Sequence, residues 1–244
     1  MKECSKSIAR RLREPNFATR YFRGSGVDIG GAPDPLSLYT ELFPLMESVR
    51  IWDLEDGDAQ FMEGVADDTF DFVHSSHCLE HLNDPVEGLR NWLRVTKPGG
   101  HVIIMVPDED LYEQGVFPSS FNRDHKWTFS IFKPRSWSER SINLVELVQK
   151  LDATAEILKI ELLNGGHRYG LPRFDQTLTP VGESGIELII RKRPASEVDA
   201  RGRLPGTEQP DRLTRIHLNQ YKDDQARMKA GNAGAPPFTN DKPL

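Results

Sequence analysis

Residues 70–85 read FDFVHSSHCLEHLNDP, and this stretch decides the fold. Phe70 to Val73 form a short aromatic and β-branched run, which is typical of a buried strand. Serines, histidines and a glutamate follow where that strand would end, and Asp84-Pro85 has the composition of a helix start. In an open parallel sheet, ligands bind just beyond the carboxyl ends of the strands. A polar, titratable cluster at that place therefore indicates a site rather than core.

The segment after this cluster predicts a helix and a second strand. Asp84 suits the N-cap, Pro85 suits the first helical position, and Glu87 can complete a capping box. Lys97-Pro98-Gly99-Gly100 ends the helix. The unbroken apolar run from Val102 to Val106 predicts a strand that is covered on both faces. Strand, helix and strand within about 40 residues make one βαβ unit.

The bulk composition excludes several classes of protein. The chain has 244 residues, 28% of them charged and 37% hydrophobic, which fits a soluble globular protein with one sizeable core. A formal net charge of −6 disfavours a general nucleic-acid partner and an anionic membrane surface. No apolar run reaches membrane-spanning length, so no membrane insertion is expected. Cys4 and Cys78 make no disulfide framework, and no secretory signal is recognised, so the cytoplasm is the expected compartment.

The chain divides into three predicted regions. Residues 1–21 make an N-terminal helical extension, residues 22–193 make the main domain, and residues 194–244 make a polar tail that is partly helical or disordered. Residues 108–140 mix aromatics, prolines and polar groups without a clean period, which indicates an insertion over the site. Further predicted elements are a strand and tight turn at 26–31, a helix at 36–48 with Leu38, Leu42 and Leu45 on one face, strands at 48–53, 155–163 and 185–191, and helices at 142–151 and 212–228.

A strand that runs into two glycines precedes this unit, in Val27-Asp28-Ile29-Gly30-Gly31-Ala32. Glycine lets the backbone approach a ligand closely and adopt a positive φ. The dinucleotide fingerprint G-x-G-x-x-G is absent, and Pro33 and Pro35 remove hydrogen-bond donors, which disfavours a pyrophosphate cradle. Asp53 ends the next strand about twenty residues further on, where a carboxylate suits the two hydroxyls of a ribose.

Short motifs follow one another in a fixed order, namely Val27-Asp28-Ile29-Gly30-Gly31, Asp53, Gly57-Asp58-Ala59, Asp68-Thr69-Phe70-Asp71-Phe72-Val73, Leu79-Glu80-His81-Leu82-Asn83-Asp84-Pro85 and Lys97-Pro98-Gly99-Gly100. In these motifs the chain resembles the class I S-adenosylmethionine-dependent methyltransferases of the methyltransferase type 11 group. The resemblance covers about residues 22–193. It implies a doubly wound α/β fold of the Rossmann-like type, with a mostly parallel sheet and an antiparallel C-terminal strand. It also implies S-adenosyl-L-methionine as the cofactor.

A narrower similarity involves Pro107 to Tyr112 and His125 to Phe129. These residues resemble methyltransferases from bacterial surface-polysaccharide gene clusters. The similarity implies a role in polysaccharide biosynthesis.

The resemblance also implies a role for each matching position. The residues are Asp28, Gly30 and Gly31 for the methionine end of the cofactor, Asp53 for the ribose, Leu54, Asp58 and Ala59 for the adenine, and Ser76 and His77 for the neighbourhood of the sulfonium. The chain departs from the family in the first turn, where Gly-Gly-Ala-Pro replaces G-x-G. It departs again between Asp53 and Asp58, where the family has a helix. Either that helix is absent or one of the two aspartates is misassigned.

Methyl transfer is an in-line displacement at an activated carbon, so most of the catalysis is proximity and orientation. The expected acceptor is a hydroxyl of a small molecule or glycan, and His81 and His125 are the candidate general bases because histidine titrates near neutrality. Phe121, Trp127 and Phe129 around His125 can stack on a sugar face or an aromatic ring. The runner-up acceptor is a nitrogen of a small metabolite. The competing interpretations are that His125 is a loop histidine without a role and that His81 only shapes the pocket.

Two other classes stay open. His77-Cys78-Leu79-Glu80-His81 matches the H-x-x-E-H pattern of zinc hydrolases. Zinc would need one continuous helix and a third ligand downstream, whereas these histidines directly follow a strand, so no metal is expected. The other class is a catalytically silent cofactor-binding subunit. For the C-terminal tail, a homodimer contact and a solvated segment both remain as alternatives.

Overall fold

The computed structural model of the protein describes residues 3–204. Its strands are β1 (Gly24–Ile29), β2 (Met46–Trp52), β3 (Phe70–Ser76), β4 (Thr96–Pro107), β5 (Thr128–Ser130), β6 (Ser141–Asn143), β7 (Ala155–Leu163) and β8 (Gly185–Lys192). Its α-helices are α1 (Glu3–Arg11), α2 (Pro85–Val95), α3 (Leu144–Gln149) and α4 (Ala195–Asp199). Single 3₁₀ or π turns occupy Phe17–Tyr21, Leu36–Leu42, Leu54–Asp56, Leu79–His81, Glu109–Glu113 and Gln176–Leu178.

Six strands make the main sheet, in the order β2-β1-β3-β4-β8-β7. The first four strands are mutually parallel, while β8 runs antiparallel to both β4 and β7. The expected mostly parallel α/β sheet with an antiparallel C-terminal strand is therefore confirmed. That antiparallel strand lies inside the sheet, and β7 forms the edge beyond it. β5 and β6 pair separately as a small parallel ribbon.

Helices cover both faces of the main sheet. On one face, Cys4 and Ile8 of α1 and Phe17 pack against Phe72 of β3 and Ile103 of β4. On the other face, residues of α2 and α3 pack against the apolar side chains that alternate with these along the strands. A doubly wound arrangement follows, and the predicted N-terminal extension contributes to the hydrophobic core.

The βαβ unit predicted around α2 is present, with one difference at the cap. The Asp84 carboxylate accepts hydrogen bonds from the backbone N–H groups of Val86 at 2.9 Å and Glu87 at 3.1 Å, as an N-cap does. The capping box is not formed, because the Asp84 N–H donates to Gln60 at 2.8 Å. The Glu87 carboxylate instead accepts a hydrogen bond from Asn91.

The predicted helix at 36–48 is wrong in length and in face. The chain forms only a 3₁₀ segment over Leu36–Leu42 before it enters β2. Leu38, Leu42 and Leu45 are exposed, whereas Leu36 and Phe43 are fully buried. The apolar spacing at 36–48 is typical of a helix. However, the Leu36 N–H donates a hydrogen bond to the carboxylate of Asp28, and this bond holds the start of the segment against β1.

The other predicted elements agree with the structure to within a few residues. α3 begins at Leu144 rather than Ile142, because the Asn143 side chain caps it by accepting from Val145 and Glu146. The chain up to Arg201 packs as one compact unit. The predicted helix at 212–228 and most of the predicted tail lie outside the described residues. Among residues 3–204, no helix is long and apolar enough to cross a bilayer.

Candidate cofactor and acceptor site

The turn after β1 lies at the carboxyl edge of the sheet, where β2 and β3 also end. Gly30 has a φ of +71°, a conformation that residues with a Cβ rarely adopt. Gly31 follows against Asp28, and a Cβ at Gly31 would lie 2.5 Å from Oδ2 of that carboxylate. Two glycines are therefore required where the family pattern has G-x-G.

Asp28 is almost completely buried and its carboxylate is held from two sides. Oδ1 lies 2.6 Å from Nδ1 of His74, and Oδ2 accepts a hydrogen bond of 2.7 Å from the Leu36 N–H. The predicted methionine-binding carboxylate thus also holds the glycine turn in place.

A chain of buried polar groups continues behind Asp28. Nε2 of His74 lies 3.0 Å from the guanidinium of Arg11, which can only donate, so Nδ1 of His74 carries the proton shared with Asp28. Arg11 also donates to Glu187 of β8 at 3.0 Å, and both side chains are fully buried. Burial alone would raise the pKa of Glu187, but the guanidinium groups of Arg11 and Arg10 hold it at about 2. No local sequence pattern marks these buried groups, because they lie up to 176 residues apart in the polypeptide.

A cavity of about 100 Å³, here called the small cavity, opens beside the glycine turn. Its walls are mostly charged or polar, and its floor includes Gly30 and Gly31. The lining residues are Glu3, Cys4, Asp28, Gly30, Gly31, Ala32, Asp34, His74, Ser76 and His77. All the residues assigned to the methionine end and to the sulfonium therefore border one space.

Asp53 follows β2 and its side chain is fixed by backbone donors. Its carboxylate accepts from the Leu54 N–H at 2.8 Å and from the Ala32 N–H at 3.2 Å. The second bond ties the end of β2 to the turn after β1, so Asp53 and the glycine turn are held in register. In return, Asp56 accepts from the Asp53 N–H at 3.0 Å, which completes a capping box.

A second cavity of about 440 Å³, here called the large cavity, lies on the other side of Gly30. Its lining residues are Gly30, Trp52, Asp53, Leu54, Gly57, Asp58, Ala59, Cys78, His81, Leu82, Asn83 and Lys126. The helix that the family has between Asp53 and Asp58 is absent, since a single 3₁₀ turn at Leu54–Asp56 replaces it. Both aspartates border this cavity, and their assignment to the cofactor stays a prediction.

The two cavities together fit an amino acid joined to a nucleoside. The small cavity offers charged and polar groups, as an amino acid requires, and the large cavity offers the Asp53 carboxylate beside Leu54 and Trp52. Leu54 is 93% exposed, so its side chain is free to cover a base. The polar and apolar lining groups of the two cavities thus fit S-adenosylmethionine.

Ser76 ends β3 and His77 follows it, and both residues line the small cavity. His77 is buried, and its Nδ1 lies 3.1 Å from Oε1 of Glu80. Burial alone would lower the pKa of His77, but its hydrogen bond to the Glu80 carboxylate raises the pKa overall. Burial would raise the pKa of Glu80, but His77 lowers it. The two side chains therefore form a buried, hydrogen-bonded pair at the wall of the site.

The two candidate bases occupy different depths. His81 lines the large cavity with its side chain about one third exposed, whereas the side chain of His125 is completely buried. Their rings lie 5.0 Å apart. His125 is held by Glu113, whose Oε1 is 2.7 Å from Nδ1. Glu113 is not among the predicted site residues, because no sequence pattern links it to a histidine twelve residues later.

The aromatic residues of the 108–140 segment do not form one open stacking surface. Phe129 is fully buried in the core, and Trp127 packs partly against that core with its Nε1 donating to the Leu82 carbonyl at 3.0 Å. Phe121 is half-buried, with the guanidinium of Arg173 over its ring. Phe129 is therefore too buried to stack on an acceptor, whereas stacking by Phe121 or Trp127 stays a prediction.

The H-x-x-E-H residues do not form one ligand set. Glu80 and His81 lie on the 3₁₀ turn Leu79–His81, and His77 precedes it with a positive φ, so no continuous helix carries the pattern. Glu80 and His81 instead come together with His125, and one donor atom from each lies within 4.8 Å of the others. Within the part of the chain that the structure describes, this is the group of three that could hold a metal ion.

Comparison with known proteins agrees with this fold. A family model described as a methyltransferase domain matches residues 8–149. The match covers more than half of the 244 residues, and the chain belongs to this family. The class expected from the motifs, the S-adenosylmethionine-dependent methyltransferases, is confirmed.

Two individual proteins illustrate the similarity. An S-adenosylmethionine-dependent methyltransferase from Archaeoglobus fulgidus superposes with a TM-score of 0.51 at 19% identity, covering 79% of this chain and 95% of that one, which shows the shared fold. An uncharacterized methyltransferase of Schizosaccharomyces pombe is 43% identical over 58 residues. That match spans 24% of this chain and only 20% of the relative's length.

Proposed function

We propose that the protein binds S-adenosylmethionine across the small and large cavities and methylates a hydroxyl of a small molecule or glycan. The observation that carries the proposal is the meeting of the two cavities at Gly30. The residues assigned to the methionine end line one cavity, and those assigned to ribose and adenine line the other. The bound cofactor would supply an activated methyl group at the junction.

The cofactor would be held mainly by groups already fixed in place. The backbone of Gly30 and Gly31 would approach its amino-acid part, while Asp28 keeps that turn rigid through His74 and Leu36. The Asp53 carboxylate would accept from the ribose hydroxyls. Because these groups need little rearrangement, binding energy is available to orient the methyl group.

The acceptor would enter beside His81. A hydroxyl must lose its proton during transfer, and His81 is the histidine that reaches the wall of the large cavity. His125 is too buried to touch the acceptor and would act as a positioning residue behind His81. This placement favours a hydroxyl over an amine, for which no strong base is needed. A glycan acceptor remains the finer proposal suggested by the resemblance of 107–112 and 125–129.

Methyl transfer from labelled S-adenosylmethionine to matched hydroxyl and amine acceptors, including sugars, tests the proposal on the full chain. We expect label in hydroxyl acceptors and release of S-adenosylhomocysteine. His81→Gln should lower the rate for hydroxyls while leaving cofactor affinity unchanged. Label in amines alone would favour the N-methyltransferase alternative.

Two further outcomes would point to other classes of protein. Cofactor binding without transfer to any acceptor would favour a silent subunit, and chelator-sensitive hydrolysis would favour the zinc enzyme. A chain that binds neither S-adenosylmethionine nor S-adenosylhomocysteine would overturn the proposal.

A further inference from the structure

The cluster of Glu80, His81 and His125 contains buried polar atoms that lack a hydrogen-bond partner in the described structure. Among the described residues, Oε2 of Glu80 and Nε2 of His125 have no hydrogen-bond partner. Such buried groups cost free energy unless something pairs with them. Both atoms belong to the same three-residue cluster.

The orientation of each imidazole is determined by its other nitrogen. Nδ1 of His125 faces the Glu113 carboxylate at 2.7 Å, and Nδ1 of His81 faces the Asp124 carbonyl at 3.1 Å. Both partners are acceptors, so both Nδ1 atoms must carry a proton. In the neutral rings, each Nε2 then presents a lone pair. Histidines that bind metals show this arrangement, in which the second nitrogen donates to a carboxylate or a carbonyl.

The two Nε2 atoms face the same carboxylate. Nε2 of His125 lies 3.8 Å from Oε1 of Glu80, and Nε2 of His81 lies 4.0 Å from that oxygen. Two ligands of one tetrahedral ion with bonds of about 2.1 Å lie about 3.4 Å apart. An inward movement of less than about 1 Å would therefore bring all three groups into ligand distance.

The charges around the cluster favour a cation. Glu80 and Glu113 are buried carboxylates, and their side-chain partners in the described structure are histidines rather than arginine or lysine. Buried carboxylates are normally paired with cations or coordinate metal ions, so this environment suits a bound cation.

From these observations we propose that Glu80, His81 and His125 bind a divalent transition-metal ion, with Zn²⁺ the best match. Two imidazoles and one carboxylate are the protein ligands of many catalytic zinc sites, which keep a fourth position open. His77 and Glu113 hold Glu80 and His125 from outside the ligand set.

The metal ion would change the role of His81. Its Nε2 would bind the ion, and an acceptor hydroxyl bound at the open position would lose its proton more readily. This role in methyl transfer rests on the proposed function, whereas the binding of the ion does not.

Metal binding by the full chain tests the site directly. Protein stripped with a chelator is titrated with Zn²⁺ against a competing indicator, and with Co²⁺ followed by visible absorption. We expect one equivalent of Zn²⁺ with a Kd of about 1 µM or below. His81→Ala, Glu80→Gln and His125→Ala should each weaken binding at least 100-fold. Glu113→Gln should weaken it about 10- to 100-fold, as a lost supporting partner does.

The control variant is His167→Ala, which removes a histidine outside the cluster and should bind Zn²⁺ as the wild type does. Circular dichroism and thermal unfolding identify any variant that fails to fold. Glu80→Gln and the partly exposed His81→Ala keep the test valid if His125→Ala unfolds. The inference is overturned if the wild type binds no stoichiometric Zn²⁺, or if folded His81→Ala and Glu80→Gln bind it undiminished.

S-adenosylhomocysteine affinity, measured on the same samples, separates the two proposals. If the protein binds S-adenosylhomocysteine but not Zn²⁺, the metal site is contradicted and the proposed function is not. If it binds Zn²⁺ but not S-adenosylhomocysteine, the proposed function is contradicted and the metal site is not.

Discussion

The small cavity and the large cavity share Gly30 but are built differently. Asp28 and His74 line the small cavity, are almost fully buried, and connect through Arg11 to Glu187 on the far part of the sheet. The large cavity is lined by a short turn, with Asp53 half-buried and Leu54 almost fully exposed. The difference implies that substitutions behind the small cavity mainly lower the free energy of unfolding. Substitutions at the large cavity mainly weaken ligand binding.

The largest effect is expected from Arg11→Met. The change leaves Nε2 of His74 without its donor and removes one cationic partner of Glu187, which keeps Arg10 and Lys159. Breaking a buried pair from one side typically costs about 3–5 kcal/mol, and the lower end of that range is expected here. Urea unfolding of the variant measures this loss. Arg13→Ala, an exposed arginine two residues later, serves as the control and should change stability by less than about 0.5 kcal/mol. Equal stability of the two variants would contradict the comparison.

The second largest effect is a loss of unfolding free energy at acid pH, which depends on the Glu187 carboxylate. Its pKa is about 2 in the folded protein and near its ordinary value of 4.5 when unfolded. A depressed folded pKa contributes stability that is complete above the unfolded pKa and is lost as pH falls toward the folded pKa. Between about pH 5 and pH 3 the loss should be about 2 kcal/mol. Unfolding free energies across this window should fall less steeply for Glu187→Gln than for the wild type, and identical slopes would contradict the prediction.

At the large cavity, Asp53→Ala should weaken S-adenosylmethionine binding by about 1–3 kcal/mol, because the ribose hydroxyls would lose their acceptor. Titration calorimetry gives the affinity. Loss of its two bonds to backbone N–H groups should cost about 1 kcal/mol of stability, less than Arg11→Met. Asp53→Asn, which keeps one oxygen acceptor, should retain part of the affinity. An unchanged affinity in Asp53→Ala would remove this residue from the site.

The smallest effect is expected from Leu54→Ala. Because Leu54 is 93% exposed, the substitution should leave the unfolding free energy unchanged. It should weaken cofactor binding by about 1 kcal/mol, the contribution of apolar surface that a bound base would cover. Val181→Ala, another exposed aliphatic residue that lines neither cavity, is the control for nonspecific effects. A stability loss in Leu54→Ala larger than its affinity loss would break the comparison.

The parts of the fold that local pattern determines were predictable from the sequence. β3, α2 and β4 follow from the run at 70–73, the cap at Asp84 and the apolar run at 102–106, because each signal acts within a few residues. The segment at 36–48 was not predictable in the same way. There a distant carboxylate, Asp28, takes the first backbone donor and overrides the apolar spacing.

The site residues that directly follow strand ends were predictable from the sequence. The site residues that depend on side-chain pairs far apart in the sequence were not. Gly30 and Asp53 come directly after strands, so their order in the chain places them at one edge. The link from Arg11 to Glu187 and the support of His125 by Glu113 depend on pairing across the fold. No local periodicity records such pairs.

The two outer strands of the sheet have a consequence for self-association. β2 carries Glu47 and Arg50, while β7 carries Lys159 at a β-bulge and Glu161. Charges and bulges on outer strands discourage further strands from adding by backbone pairing, a common route to aggregation. Any specific complex between copies of the folded chain would therefore be expected to form through side-chain surfaces rather than through extension of the sheet.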